Sequence, residues 1–186
     1  MQEDIFKYGL IVGRFQHIHI GHEKLINIGL KLCSKLLVFI GSANQEVGGR
    51  NPYTYEYRKS LFEIIYKEEI ESGKLIIAPL NDWEDSTVLS PKWGEYVLEN
   101  AKKILGEFPN CIIYGKDKDI FKCFSKETVK NISEVYVDRN SLLISATKMR
   151  EFLTQDNKEK WMKYADSKIH YKYDELKEKL DKLCCK

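Results

Sequence analysis

The sequence predicts an α/β fold, a doubly wound parallel five-stranded sheet with C-terminal helices. Three observations predict it. Short apolar runs alternate with amphipathic stretches of helical period along the chain. Glycine, proline and small polar residues punctuate the joins between them. The chain's most unusual cluster, Gly13 to His22, falls where the first strand gives way to the first helix. In an open α/β sheet that is the rim at which ligands bind.

Tyr8 to Val12 reads as the first buried strand. Glu23 to Lys35 reads as a helix with Leu25, Ile26, Gly29, Leu30 and Cys33 on one face. Leu36 to Ile40 is the second strand and closes with Gly41-Ser42-Ala43-Asn44. Gln45 to Pro52 is a polar loop containing Gly48-Gly49. Thr54 caps a helix that runs through Tyr57, Arg58, Leu61, Phe62 and Ile65 to about Glu71. Leu75 to Ala78 is the third strand, and Pro79 to Pro91 a polar loop carrying Asp82, Trp83 and Asp85. A helix from about Lys92 to Leu105 turns Tyr96, Val97, Ala101 and Ile104 inward. Cys111 to Tyr114 is the fourth strand; it ends at Gly115, before the charged turn Lys116 to Asp119. A short helix near Ile120 to Lys130 then leads to the fifth strand, Glu134 to Val137. Ser145 or Thr147 starts a further helix through Met149, Phe152 and Leu153. From Lys158 to Lys186 the pattern is charged and helical, giving one or two helices packed on the sheet's flank. The expected organisation is one domain, residues 1–155, with a helical extension, 156–186, packed on it.

Composition narrows the function. The 186 residues are 43% apolar and 31% charged, as in an ordinary soluble protein. Thirty basic residues stand against 28 acidic ones, so no charge excess points to nucleic acid or a membrane surface. No apolar run reaches membrane-spanning length, and Met1-Gln2-Glu3-Asp4 opens no secretory signal, which makes the cytosol the expected compartment. The five cysteines, an odd number without a CxxC pair, read as free thiols, Cys184-Cys185 lying in the tail.

The chemistry lies in two stretches. A helix start leaves backbone N–H groups unpaired and carries partial positive charge, so it attracts phosphate. Gly21, without a Cβ, lets an anion approach the first helix start closely. His19 and His22 fall on the same side of that helix, and Arg14 adds a fixed cation. Three of the chain's four histidines lie within these ten residues. Zinc would need further ligands, and no Cys or His cluster elsewhere supplies them. The second stretch, Ile144-Ser145-Ala146-Thr147-Lys148-Met149-Arg150, offers another helix start beside an arginine able to grip phosphate bidentately. The GxGxxG and GxxxxGK[ST] signatures are both absent, which argues against dehydrogenases and common kinases.

These stretches carry a resemblance. His19-Ile20-Gly21-His22 resembles the HxGH motif of the nucleotidyltransferase superfamily. Gly13-Arg14-Phe15-Gln16-x-x-His19-x-Gly21-His22 is similar to the GRFQPxHxGH form of archaeal-type nicotinamide-mononucleotide adenylyltransferases. Ile144 to Arg150 resembles the superfamily's ISxTxxR motif, and Gly41-Ser42-Ala43 with Arg50-Asn51-Pro52-Tyr53-Thr54 its GSA…NPFT segment.

The resemblance spans roughly residues 8–153 and implies a Rossmann-like nucleotidyltransferase fold. It implies transfer of the adenylyl group of ATP to nicotinamide mononucleotide, giving NAD and pyrophosphate. His19, His22, Thr147 and Arg150 would hold the triphosphate, with Gly13, Phe15, Gln16, Gly21, Ile144 and Ser145 lining the ATP site. Gly115 and Lys116 occupy the turn where the family holds the ATP ribose. Arg14 and Arg50 would hold the acceptor phosphate, beside Ser42, Ala43 and Asp82. Trp83 and Trp93 are the candidates for stacking on the nicotinamide ring, and the family's placement of a Trp favours Trp93. Mg2+ would be bound mainly through substrate phosphates. Relatives often assemble into closed rings, so a homo-oligomer is one option the sequence leaves open; some are fused to a Nudix hydrolase, for which this chain is too short.

One departure stands out. The family usually has Pro and an aromatic where this chain has His17 and Ile18, a change expected to loosen the loop slightly. Two rivals remain. One is a sibling nucleotidyltransferase with another phosphorylated acceptor, although cytidylyl- and FAD-forming siblings usually carry an acidic residue where Gln16 stands. The other is a nucleotide-binding regulator without turnover.

Overall fold

The computed structural model describes residues 4–83, 90–115, 123–127, 129–138 and 144–184. The strands are β1 (Phe6–Gly13), β2 (Cys33–Ile40), β3 (Leu75–Pro79), β4 (Cys111–Gly115) and β5 (Ser133–Val137). They form one parallel sheet in the order β3-β2-β1-β4-β5. The helices are α1 (Ile20–Leu32), α2 (Tyr55–Ile65), α3 (Lys67–Glu71), α4 (Pro91–Leu105), α5 (Ala146–Thr154), α6 (Lys158–Tyr164) and α7 (Tyr173–Cys184). A 3-10 turn over Ser167–Lys172 joins the last two.

Period-two side-chain alternation in the central strands feeds two core layers. Ile11, Val38 and Ile40 face α1, α2 and α5 to α7, while Leu10, Leu37 and Phe39 face α4. β1 is central, and successive strands are added on its β2 side and then on its β4 side. The order of the strands therefore reverses between β1 and β4, and the crevice beyond their carboxyl ends is where a ligand fits an open α/β sheet. The residues at that rim are those of the β1–α1 turn.

Several expectations need correction. Cys33 belongs to β2: α1 passes into the strand with no intervening loop, and Cys33 is at once the helix C-cap, with extended backbone, and the first strand residue. Its place on the helical stripe is an accident of that junction. Ile104 is exposed, and Leu98 and Leu105 take the inner face of α4 with Val97 and Ala101. Of the helix expected near 120–130, residues 120–122 and 128 lie outside the described residues. The remainder is a series of turns, closed by bonds such as Ile132 N–H to Val129 O. That segment lies backbone-on against α4, where a Cβ on Gly94 would stand 2.1 Å from Cys123 O. The C-terminal helices pack on α5 and α2, extending the larger core with Trp161, Ile169 and Leu176. Lys116, Asp85 and Cys185 lie outside the described residues. No helix among the described residues is long and apolar enough to cross a membrane.

Candidate active site

The first stretch is built as an N-cap. His19 has extended backbone, and its imidazole Nδ1 accepts the Gly21 N–H at 3.1 Å. With Nδ1 accepting, the neutral ring carries its hydrogen on Nε2, which becomes the donor. The His22 ring stacks on that of His19, centroids 3.9 Å apart, and the edge of Phe15 meets His22 at 4.8 Å. At Gly21 a Cβ would stand 2.9 Å from the His19 ring, so the missing side chain also makes room for the imidazole.

The second stretch comes to the same place. Ser145 caps α5 by accepting the Lys148 N–H at 3.1 Å, which leaves Thr147 in the first turn. The Arg150 guanidinium donates to Thr147 Oγ1 at 3.3 Å and to the carbonyl of Gln16 in the β1–α1 turn. Ile144 Cγ2 lies 3.6 Å from where a Gly21 Cβ would be. The two helix starts therefore adjoin. Burial lowers the Arg150 pKa, and the positive charge of Arg14 lowers it further.

Arg14 stands on the other side of the turn. Burial, then repulsion from Arg50, lower its pKa, while Asp82 acts the other way. Arg14 and Arg50 repel one another beside Asp82, an arrangement that favours an anion. Asp82 accepts from Ser42 Oγ at 3.0 Å and its backbone N–H is held by Asn44 Oδ1 at 2.8 Å. Trp83, next in sequence and 41% exposed, lies parallel to Tyr96, centroids 6.1 Å apart. Trp93 instead packs on Phe124 and the smaller core. Trp83 thus presents an exposed ring next to Asp82, and Trp93, the one the resemblance favours, is partly buried against Phe124.

The Gln16 side chain is buried; Oε1 accepts the Tyr53 N–H at 3.0 Å, and Nε2 donates to Tyr53 O at 3.2 Å and Asn51 Oδ1 at 3.3 Å. It ties the β1–α1 turn to the loop that carries Arg50.

Arg58 is the site residue that sequence reasoning missed. It is 1% exposed, and its guanidinium donates to the carbonyls of Arg14 at 2.6 Å, Gly41 at 2.7 Å, Ser42 at 3.1 Å and Thr54 at 3.2 Å. Phe15 and Ser42, the residues that follow two of those carbonyls, both have φ of 50°. Such a backbone is costly for a residue with a side chain, and Arg58 holds both turns in place. The signal was an arginine spaced i, i+3, i+4, i+7 with Leu61, Phe62 and Ile65, on the stripe that faces the core.

His17 does not loosen the loop. It is fully buried; Nδ1 donates to Ile18 O at 2.6 Å and Nε2 accepts the Trp161 indole N–H at 2.9 Å. Burial lowers its pKa to about 4, against an ordinary 6.5. The unfolded chain thus takes up a proton as pH falls below 6.5 while the folded chain does not, so stability falls between pH 6.5 and about 4. The total loss from this ring is about 3 kcal/mol. Urea unfolding at pH 7, 5.5 and 4.5 should show this slope in the native chain, and His17→Gln, which cannot titrate, should lack that share of it.

Comparison with known proteins agrees with this architecture. Over 150 residues the chain is 26% identical to the nicotinamide/nicotinic acid mononucleotide adenylyltransferase of Acinetobacter baylyi, covering 78% of this chain and 74% of that one. Over 162 residues it is 25% identical to the nicotinamide-nucleotide adenylyltransferase of Archaeoglobus fulgidus, covering 85% of each. Among solved structures it resembles the bifunctional NMN adenylyltransferase/ADP ribose pyrophosphatase of Francisella tularensis, solved with AMP and a manganese ion. The TM-score is 0.70 at 20% identity, over 94% of this chain, which spans about half of the Francisella chain's length (52%). The cytidylyltransferase-like family profile matches residues 10–185, nearly the whole chain and both helix starts. The chain belongs to the cytidylyltransferase-like family.

Proposed function

We propose that this chain transfers the adenylyl group of ATP to nicotinamide mononucleotide, forming NAD and pyrophosphate. The observation that carries the reading is the meeting of the two helix starts, with Arg150 bridging from α5 to the Gln16 carbonyl and Ile144 against Gly21. The relatives named above, adenylyltransferases of nicotinamide or nicotinic acid mononucleotide, supply the acceptor.

In this reading His19 Nε2–H, His22, Thr147 and Arg150 hold the triphosphate, above a floor of Gly13, Phe15, Ile144 and Ser145. Gly115, at the end of β4, borders the ribose. Arg14 and Arg50 hold the acceptor's 5′-phosphate, with Ser42, Ala43 and Asp82 beside it and the face of Trp83 toward the pyridine ring. That phosphate is largely ionised at neutral pH, so no general base is needed. Its oxygen forms a bond to the α-phosphorus as the bond to the bridging α,β oxygen breaks, and pyrophosphate leaves with the electron pair. Alignment and neutralisation of charge on the leaving group supply the catalysis.

The donors here are imidazoles and guanidiniums, which bind phosphate oxygens directly. That set suits a cation carried in on substrate phosphates, the habit of Mg2+. When bound, Mg2+ would neutralise charge on the pyrophosphate. Cys33, Cys111 and Cys123 are free thiols, in keeping with a cytosolic setting.

The test is to mix the protein with ATP, Mg2+ and nicotinamide mononucleotide and measure both products. NAD and pyrophosphate in equal amounts are expected. Pyrophosphate released only with other phosphorylated acceptors would favour a sibling transferase, and ATP binding without turnover a regulator.

A further inference from the structure

We propose that the C-terminal helices take part in the reaction through a latch between Trp161 of α6 and His17, which makes His17 a positioning residue for the phosphate site. The proposal rests on the adenylyl-transfer reading above. Both ring nitrogens of His17 are engaged in one tautomer, Nδ1–H to Ile18 O and Nε2 from the Trp161 indole. Both side chains are 0% exposed. Trp161 is itself wedged by Tyr173, ring edge to face at 5.3 Å, and the Tyr173 hydroxyl is tied to Asp156 Oδ1 at 3.0 Å. The ring of Tyr173, which phenylalanine would retain, seats the indole between α6 and α7, and the hydroxyl bond steadies the cluster around it.

What the latch holds is the turn that carries the chemistry. Gln16 and His17 share one peptide, and its carbonyl is the acceptor for Arg150. Ile18, whose carbonyl His17 grips, directly precedes the N-cap His19. The imidazole thus fixes the Ile18–His19 peptide, which leads into His19, and anchors the residue that directly follows the Gln16 carbonyl held by Arg150. A buried polar pair of this kind gains little net stability over two well-packed apolar side chains. What it adds is a single permitted orientation, which is of use where a misplacement of about 1 Å costs rate.

The experiment compares Trp161→Phe, His17→Leu, their double variant and His17→Gln, with Tyr173→Phe as a control on the same helical cluster. Steady-state kinetics, urea midpoints and exchange of the Trp161 indole N–H in 15N-labelled protein are measured for each. Trp161→Phe and His17→Leu should each lower kcat about tenfold and leave KM for the mononucleotide within about twofold. The double variant should be no worse than the poorer single one, because both remove the same interaction. His17→Gln, whose amide oxygen can accept from the indole, should stay near the native kcat. Tyr173→Phe should lower the urea midpoint without moving kcat. The indole N–H should exchange slowly in the native chain and faster in His17→Leu. Losses that multiply in the double variant, or single variants that lose stability while keeping full kcat, would overturn the latch, as would an indole N–H equally exposed in both proteins. If the native chain makes no NAD, the adenylyl-transfer reading fails. The latch is then judged by indole exchange and by ATP affinity, which should fall in both single variants and no further in the double one; unchanged ATP affinity would overturn it.

Discussion

Arg150→Ala is expected to lower kcat by roughly 10²–10³, the scale of losing one preorganised donor to charge that develops in the transition state. Arg150 is the element of the second helix that reaches across to the first, donating to Gln16 O and to Thr147 Oγ1. Those two bonds engage two of its five N–H groups, so the same fork can present others to phosphate oxygens. Negative charge grows on the leaving pyrophosphate as the bridging bond breaks, and an interaction that strengthens along that path appears in kcat more than in KM. Arg150→Lys should recover part of the loss, since it restores the charge but not the planar fork. His22→Ala, whose ring is stacked on His19 at 3.9 Å, should cost a similar factor. Initial rates of NAD formation at saturating ATP measure all three, and near-native kcat in either alanine variant would remove that residue from the mechanism.

Arg58→Met is expected to cost roughly 3–5 kcal/mol of stability, read as the shift in the urea unfolding curve at constant slope. Methionine keeps the hydrophobic stem and removes the head group. Four backbone carbonyls then lose a charged donor inside the protein, at a cost of roughly 1–3 kcal/mol for each one left without a replacement. Two of those carbonyls belong to the peptides leading into Phe15 and Ser42, whose left-handed backbones are worth roughly 1–3 kcal/mol of strain apiece. With the guanidinium gone, those turns can relax and carry Arg14 and the Ser42–Asp82 pair with them. Affinity for the mononucleotide should therefore fall even at temperatures where the variant is folded. Arg58→Lys should rescue little, because a single ammonium cannot reach carbonyls at the ends of two strands and the start of a helix. A loss below about 1 kcal/mol would mean that the turns hold themselves.

The sheet was legible because β1 to β4 are short apolar runs and the first three crossovers amphipathic stretches, so buried strand and helical period separate cleanly. The candidate phosphate site was legible for a different reason. Its chemistry needs imidazole, hydroxyl and guanidinium at helix starts, and helix starts declare themselves by caps: His19, Thr54, Ser90 and Ser145 all accept a backbone N–H two or three residues on. What remained hidden depends on contacts between residues far apart in the sequence. Gln16 reads as a polar loop residue until Tyr53 is seen beside it, and His17 as an anomaly until Trp161, 144 positions later, supplies its partner. The two tryptophans of the third crossover were ranked by resemblance alone, and only the packing of Trp93 on Phe124 sorts them. Cys33 shows a further limit, since nothing local marks a helix that ends in the first residue of a strand.

The central claim is that two basic helix starts grip one triphosphate so that its innermost phosphorus is the one attacked. It is tested most directly by supplying ATP labelled at the α-phosphorus or, in a parallel reaction, at the γ-phosphorus, with unlabelled nicotinamide mononucleotide and Mg2+. The account predicts α-label in the dinucleotide and γ-label in pyrophosphate, both appearing roughly 10²–10³ times more slowly when Arg150 is replaced by alanine. Recovery of γ-label on the mononucleotide, or of α-label only in ATP and free AMP, would contradict it.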